Sequence, residues 1–160
     1  MTNIRVGMGY DIHQLDENLP FFLGGVNIEY KKGIVAHSDG DIVFHAIADA
    51  LLGAAGLGDI GHFFPDDNPK YYNMDSTLII KEVLLKLKKL QYSIVNIDIT
   101  IVLEKPKLAL LIARIKESIS KHLKINIEYI NVKATTSEGM GFVGKENGIA
   151  CYSVVLIEKI

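Results

Sequence analysis

Ile4-Arg-Val-Gly-Met-Gly-Tyr-Asp-Ile-His13 alternates without a break. Ile4, Val6, Met8, Tyr10 and Ile12 are apolar, and Arg5, Gly7, Gly9, Asp11 and His13 stand between them. A side-chain period of two predicts a strand with one buried face. Asp11 and His13, two residues apart, leave such a strand on the same side. Gly7 and Gly9 share that side, and their missing side chains leave room there for a ligand.

Working outward, Phe21–Tyr30 holds two short apolar runs around Gly24-Gly25 and predicts a hairpin. Asp39–Ala55 predicts a helix, with Ser38 or Asp39 as N-cap and Gly56 and Gly58 near its end. Leu57–Asn73 is rich in Gly, Pro, Asp and Asn, a long loop with room for a helical turn. Asp75–Leu90 predicts a second helix capped by Asp75 or Ser76, and Lys107–Leu123 a third with Pro106 at its entrance. Ile94–Leu103 and Ile130–Thr135 predict strands. Ile149–Ile157 is apolar on both faces, as a central strand would be. Thr136–Asn147 joins the last two strands and carries Gly139, Gly141 and Gly144. About five or six strands and three helices predict an α+β fold: a mixed sheet covered on one face by helices, a two-layer sandwich.

The chain of 160 residues is 49% hydrophobic, which fits a single domain over 1–160. A domain near this size buries roughly 70% of the surface its unfolded chain exposes. The net charge of -2 argues against an electrostatic nucleic-acid binder. It also means that an anionic substrate needs metal ions or backbone N–H groups to offset the charge. Cys151 is the sole cysteine, so no internal disulfide forms, and its apolar run predicts a buried, inert thiol. Met1–Gly7 lacks the apolar core of a signal peptide, and no segment is long enough to span a bilayer. A cytoplasmic protein is expected, or one in a plastid-type organelle after removal of a transit peptide.

Within the first helix, only Asp41, His45 and Asp49 interrupt the apolar residues. Their i, i+4, i+8 spacing makes one narrow polar stripe. His45, with Asp11 and His13, would complete a two-histidine, one-carboxylate set suited to zinc with an open fourth position. Such a set leaves about one positive charge on a divalent ion, ready for a phosphate oxygen. In the loop that follows, Asp59 and Asp66 are acceptors suited to a polyol, whereas His62 reads as a surface residue. Lys133-Ala-Thr-Thr-Ser-Glu138 leaves a strand for a Gly-rich loop whose hydroxyls and N–H groups suit phosphate, and Glu138 suits magnesium or manganese. There is no Walker A sequence.

Ser38–Gly61, which reads Ser-Asp-Gly-Asp-Ile-Val-Phe-His through to Leu-Gly-Asp-Ile-Gly, resembles the signature of the cyclodiphosphate synthases of the non-mevalonate isoprenoid pathway. Gly9–His13, Phe64-Pro-Asp66, Asn131–Glu138 and Gly148–Cys151 are similar to further segments of that family, in the same order and spacing. The resemblance runs from about Arg5 to Ile157. It implies a homotrimer with its sheets facing the trimer axis and active sites between subunits. It implies zinc on Asp11, His13 and His45, with His37 and Ser38 beside a substrate phosphate and Asp59, Gly61 and Asp66 near a methylerythritol. Leu103, Pro106, Lys107, Leu108, Ala134 and Thr135 would form a cytidine pocket, Thr136 would touch the diphosphate, and Glu138 would hold the second ion. Thr136, His37 and Asp49 are the expected catalytic set, and Phe142 and Lys145 join the substrate-binding residues. Lys145 stands where many relatives carry Arg near a central cavity that can hold an isoprenoid diphosphate, and lysine lacks arginine's bidentate fork.

The implied reaction is that of a phosphorus–oxygen lyase. The 2-phosphate of a CDP-alcohol attacks the β-phosphorus, CMP leaves, and a cyclic diphosphate forms. A zinc phosphohydrolase and a non-catalytic trimeric ligand-binding protein are the alternative readings.

Overall fold

A computed structural model describes residues 3–65, 69 and 74–160. Its first strand, β1 (Ile4–Glu17), runs antiparallel to β7 (Gly148–Lys159), with Ile4 opposite Glu158 and Gln14 opposite Gly148. Beyond β7 lies β5 (Tyr92–Val102), antiparallel to it, and then β6 (Ile130–Thr135), parallel to β5. The short β4 (Lys32–Ile34) pairs with the end of β1. The order β4-β1-β7-β5-β6 is a mixed five-stranded sheet with β7 at its centre. That is the position the doubly apolar Ile149–Ile157 run predicts. The hairpin around Gly24-Gly25 is present as β2 (Phe22–Leu23) and β3 (Val26–Asn27).

Three long helices cover one sheet face: α1 (Ile42–Ala55), α3 (Ser76–Lys89) and α4 (Ile112–Leu123). Two single-turn helices lie in loops, α2 (Ile60–Phe63) and α5 (Gly141–Gly144). Helix α4 starts later than the sequence suggests. Its N-cap is Leu111, so Pro106 sits in the preceding loop and not in the first turn. Helix α1 is capped by Asp41, two residues beyond the expected cap. The Asp41 carboxylate accepts the N–H groups of Val43 and Phe44 at 3.2 Å each, and those of Gly24 and Gly25 at 2.8 and 2.6 Å. It therefore closes the helix and pins the hairpin turn at once. This part of the polar stripe is structural, which spacing alone did not reveal.

The two faces of β1 are the reverse of a simple amphipathic reading. Gly7, Gly9 and Leu15 are its buried residues, and the two glycines are pressed against α1. A Cβ at Gly9 would lie 1.9 Å from the Ala46 carbonyl oxygen, and one at Gly7 2.0 Å from that of Ala50. The glycines make room for a helix backbone, not for a ligand. The apolar residues face away: Ile4, Val6 and Met8 are 50, 68 and 64% exposed. Tyr152 and Val154 of β7 extend this bare surface. Among the described residues, no helix is long and apolar enough to cross a membrane.

Candidate active site

Strand β1 and helix α1 bring three ligand-type side chains to one point. The Asp11 Oδ2 atom lies 3.1 Å from His13 Nε2 and 3.0 Å from His45 Nδ1. One donor atom from each residue falls within 4.8 Å of the others. The approach is possible because Gly9 lets α1 sit close to the strand, so His45 on the helix reaches Asp11 on the sheet. Burial alone would raise the Asp11 carboxyl. Hydrogen bonds and charge from the protonated imidazoles of the metal-free site reverse that and hold it well below the usual carboxylate range. Burial alone would likewise lower His45, and the Asp11 carboxylate reverses that and raises it.

The site passes a chemical test for a metal ion. His13 Nδ1 is 3.2 Å from the Val35 carbonyl oxygen, so in the neutral ring that nitrogen carries the proton and Nε2 keeps its lone pair. His13 Nε2 is buried and makes no aligned hydrogen bond, despite its nearness to Asp11. A buried nitrogen without a partner is costly unless something binds there. Two nitrogens and one carboxylate oxygen are a donor set suited to zinc.

The cluster opens into a cavity of about 330 Å³ whose lining includes His37, Ser38, Ile60 and Gly61. The Asp49 carboxylate, one turn beyond His45, accepts the Ile60 N–H at 3.1 Å, which fixes the start of α2 at the cavity wall. Burial raises Asp49, and the charges of Asp59 and Asp11 add to the rise. Asp59 is exposed and caps α2 through the His62 N–H at 3.0 Å. His62 is exposed, as expected. Asp66 lies outside the described residues.

A second pocket of about 200 Å³ is lined by Leu103, Pro106, Lys107, Leu108, Ala134, Thr135 and Thr136, with Ala109 and Ile112. Every residue assigned above to the cytidine pocket is in its wall. The loop beyond it turns at Glu138, whose φ of 55° is left-handed. Glu138 Oε1 is 3.4 Å from Thr136 Oγ1. Glu104 holds this loop: its carboxylate accepts the Ser137 N–H at 2.8 Å and the Gly139 N–H at 3.4 Å. Sequence reading passed over Glu104, because nothing local marks a carboxylate that captures N–H groups thirty-odd residues away. Phe142 lines a third hollow together with His13 and Gly148. Lys145 is exposed at the end of α5. The metal-type cavity and the second pocket share no residue within one chain.

The profile of the YgbB family matches residues 4–158. The chain belongs to the YgbB family. It is 51% identical over 156 residues to the 2-C-methyl-D-erythritol 2,4-cyclodiphosphate synthase of Clostridium perfringens, covering 98% of this chain and 100% of that protein. It is 48% identical over 155 residues to the enzyme of the same name from a Geobacillus species, covering 97% and 98%. Among solved structures of this fold, the Plasmodium falciparum IspF complex with CDP superposes with a TM-score of 0.87 at 36% identity, covering 99% of this chain and 98% of that one. The bifunctional IspDF of Campylobacter jejuni superposes with a TM-score of 0.95 at 39% identity. All of this chain aligns there with 43% of the longer protein. These two solved structures share the fold of this chain over almost its whole length.

Proposed function

We propose that this YgbB-family chain is a cytoplasmic, metal-dependent 2-C-methyl-D-erythritol 2,4-cyclodiphosphate synthase. Its substrate is 4-diphosphocytidyl-2-C-methyl-D-erythritol 2-phosphate. An oxygen of the 2-phosphate attacks the β-phosphorus, the bond from that phosphorus to the CMP oxygen breaks, and the eight-membered cyclic diphosphate and CMP part. The observation that carries this reading is the Asp11–His13–His45 cluster opening onto His37 and Ser38. The names of the relatives and the CDP in the Plasmodium falciparum complex supply the substrate class.

The obstacle is charge. Two unit negative charges brought to ~4 Å repel by about 4 kcal/mol at an effective dielectric near 20, and each phosphate carries more than one. Zinc on Asp11, His13 and His45, with magnesium or manganese at Glu138, would supply positive charge to the phosphate oxygens and polarise the phosphorus. The chain's own residues do the rest. His37 and Ser38 hold the attacking 2-phosphate in the cavity. Gly61 and Asp59, at the turn fixed by Asp49, receive the methylerythritol, and Asp66, further along the sequence, is assigned to the same substrate group. Leu103, Pro106, Lys107, Leu108, Ala134 and Thr135 enclose the cytidine, and Thr136 steadies the diphosphate. Glu104 keeps the Thr136–Glu138 loop in register. Phe142, in the hollow beside His13, and Lys145, just after α5, are assigned with the substrate-binding residues. Holding a flexible chain bent for in-line attack is the other large contribution to rate.

We assign the active form as a homotrimer with sites between subunits. Two features support it: the bare apolar face of β1 and β7, and the separation of the two pockets within one chain. A neighbour would cover the first and join the second. The test is direct. Protein is incubated with the CDP-methylerythritol phosphate, with and without a chelator, and CMP and cyclic diphosphate are quantified. Both should form, and chelation should suppress both. Free phosphate in place of CMP would favour the phosphohydrolase reading instead.

A further inference from the structure

We propose that Ser76 and Asp39 are positioning residues that fix which nitrogen of His45 faces the metal. The inference rests on the metal reading above and adds residues to it. His45 has two partners on opposite sides of its ring. Its Nδ1 faces Asp11 Oδ2 at 3.0 Å, and its Nε2 faces Ser76 Oγ at 2.9 Å. Ser76 is fully buried at the first turn of α3. Its hydroxyl donates to the Asp39 carboxylate in a short contact.

The direction of that hydrogen bond decides the rest. An ionised carboxylate only accepts, so the single hydroxyl proton of Ser76 is committed to Asp39. Only lone pairs are left to face the imidazole. His45 must therefore bring its proton on Nε2, and the lone pair of the neutral ring is on Nδ1, the atom aimed at Asp11 and the open cavity. His13 reaches the same result by another means, since the Val35 carbonyl takes its Nδ1–H and frees Nε2. Both histidines thus have their non-ligating nitrogen occupied by an acceptor, one from the backbone and one from a buried hydroxyl.

Asp39 is itself held. Its carboxylate also accepts the Asp41 N–H at 3.1 Å, just before α1, and the Ser76 N–H at 3.0 Å, at the start of α3. The bridge therefore ties the beginnings of two helices to one imidazole. Ser38 Oγ also approaches His45 Nε2, but at 3.4 Å, and it already accepts the Gly40 N–H. Ser76 is the better-placed partner.

The test compares wild type, Ser76→Ala and Asp39→Asn. Zinc dissociation constants are measured by chelator competition, and the histidine N–H protons of the zinc-loaded proteins are observed by NMR. Loss of an outer partner to a ligating histidine costs roughly 10–100-fold in metal affinity, and that is the expected weakening in both variants. The wild type should show a slowly exchanging His45 Nε2–H, lost in Ser76→Ala. A structural role alone would lower the melting temperature of the metal-free protein and leave both readouts in place. Zinc affinity within about threefold of wild type in both variants, with the slow proton retained in Ser76→Ala, overturns the inference. Should Ser76→Ala fail to fold, the affinity of Asp39→Asn decides alone. A wild type that binds no zinc defeats the metal reading, and this inference with it. Tight wild-type binding with unaffected variants defeats this inference only.

Discussion

The two faces of β1 carry opposite chemistry and have opposite fates. One bears Gly7, Gly9, Asp11 and His13, looks polar or empty, and is covered by α1. The other bears Ile4, Val6, Met8, Tyr10 and Ile12, looks like core, and is bare. Alternation tells that a strand has two sides, but not what lies against each. A helix packs on glycine because backbone needs no side-chain gap. A contiguous row of exposed apolar side chains is the kind of surface that supports the trimer proposed above.

Four experiments press on that contrast. On the covered face, His45→Ala should cost more than the roughly 100-fold expected for an outer partner, because the proposed metal site would lose a ligand. CMP release should fall that far while the circular dichroism spectrum stays native. On the bare face, the double substitution Val6→Asp, Met8→Asp puts like charges where copies would meet. Sedimentation should shift from the proposed trimer to a folded monomer, with turnover falling by about tenfold or more at dilute protein. An unchanged trimer would place the interface elsewhere. Gly9→Ala returns to the covered face. Its Cβ meets backbone oxygen, not a side chain that can turn away, so the cost should sit at the upper end of overpacking, about 3 kcal/mol in denaturant unfolding. The smallest effect belongs to Cys151, which pairs with Asp11 across the sheet and faces the interior. Burial pushes its thiol up, so the native protein should resist thiol reagents at neutral pH until it unfolds. Rapid labelling of the native protein would show a looser core beneath β1.

Much of this was legible in the order of residues. Asp11 and His13 share a face because a strand repeats every two residues, and His45 stands out because it interrupts an otherwise apolar helix. The central place of Ile149–Ile157 followed from its lack of a polar side. What sequence could not give were partners chosen across space. Asp41 looked like part of the polar stripe around His45, yet it commits its acceptors to the Gly24-Gly25 turn and its own helix. Ser76 read as a helix cap, and only the folded chain puts its hydroxyl under His45. Gly7 and Gly9 read as room for a ligand, and only the folded chain puts a helix backbone there. The start of α4 slipped because Lys107–Leu110 has helix-forming residues, yet Lys107, Leu108 and Ala109 lie in the wall of a pocket ahead of the Leu111 cap.

The position of β7 between β1 and β5 has a consequence for how the molecule comes into being. The strand bearing Asp11 and His13 and the strand leading to Leu103 never touch each other, and each is aligned by pairing with β7. During synthesis both must wait, with edges unpaired, until a segment made much later slides between them. Such distant pairing slows folding and exposes strand edges meanwhile. The two cavities therefore acquire their mutual alignment together, and late, when that strand docks.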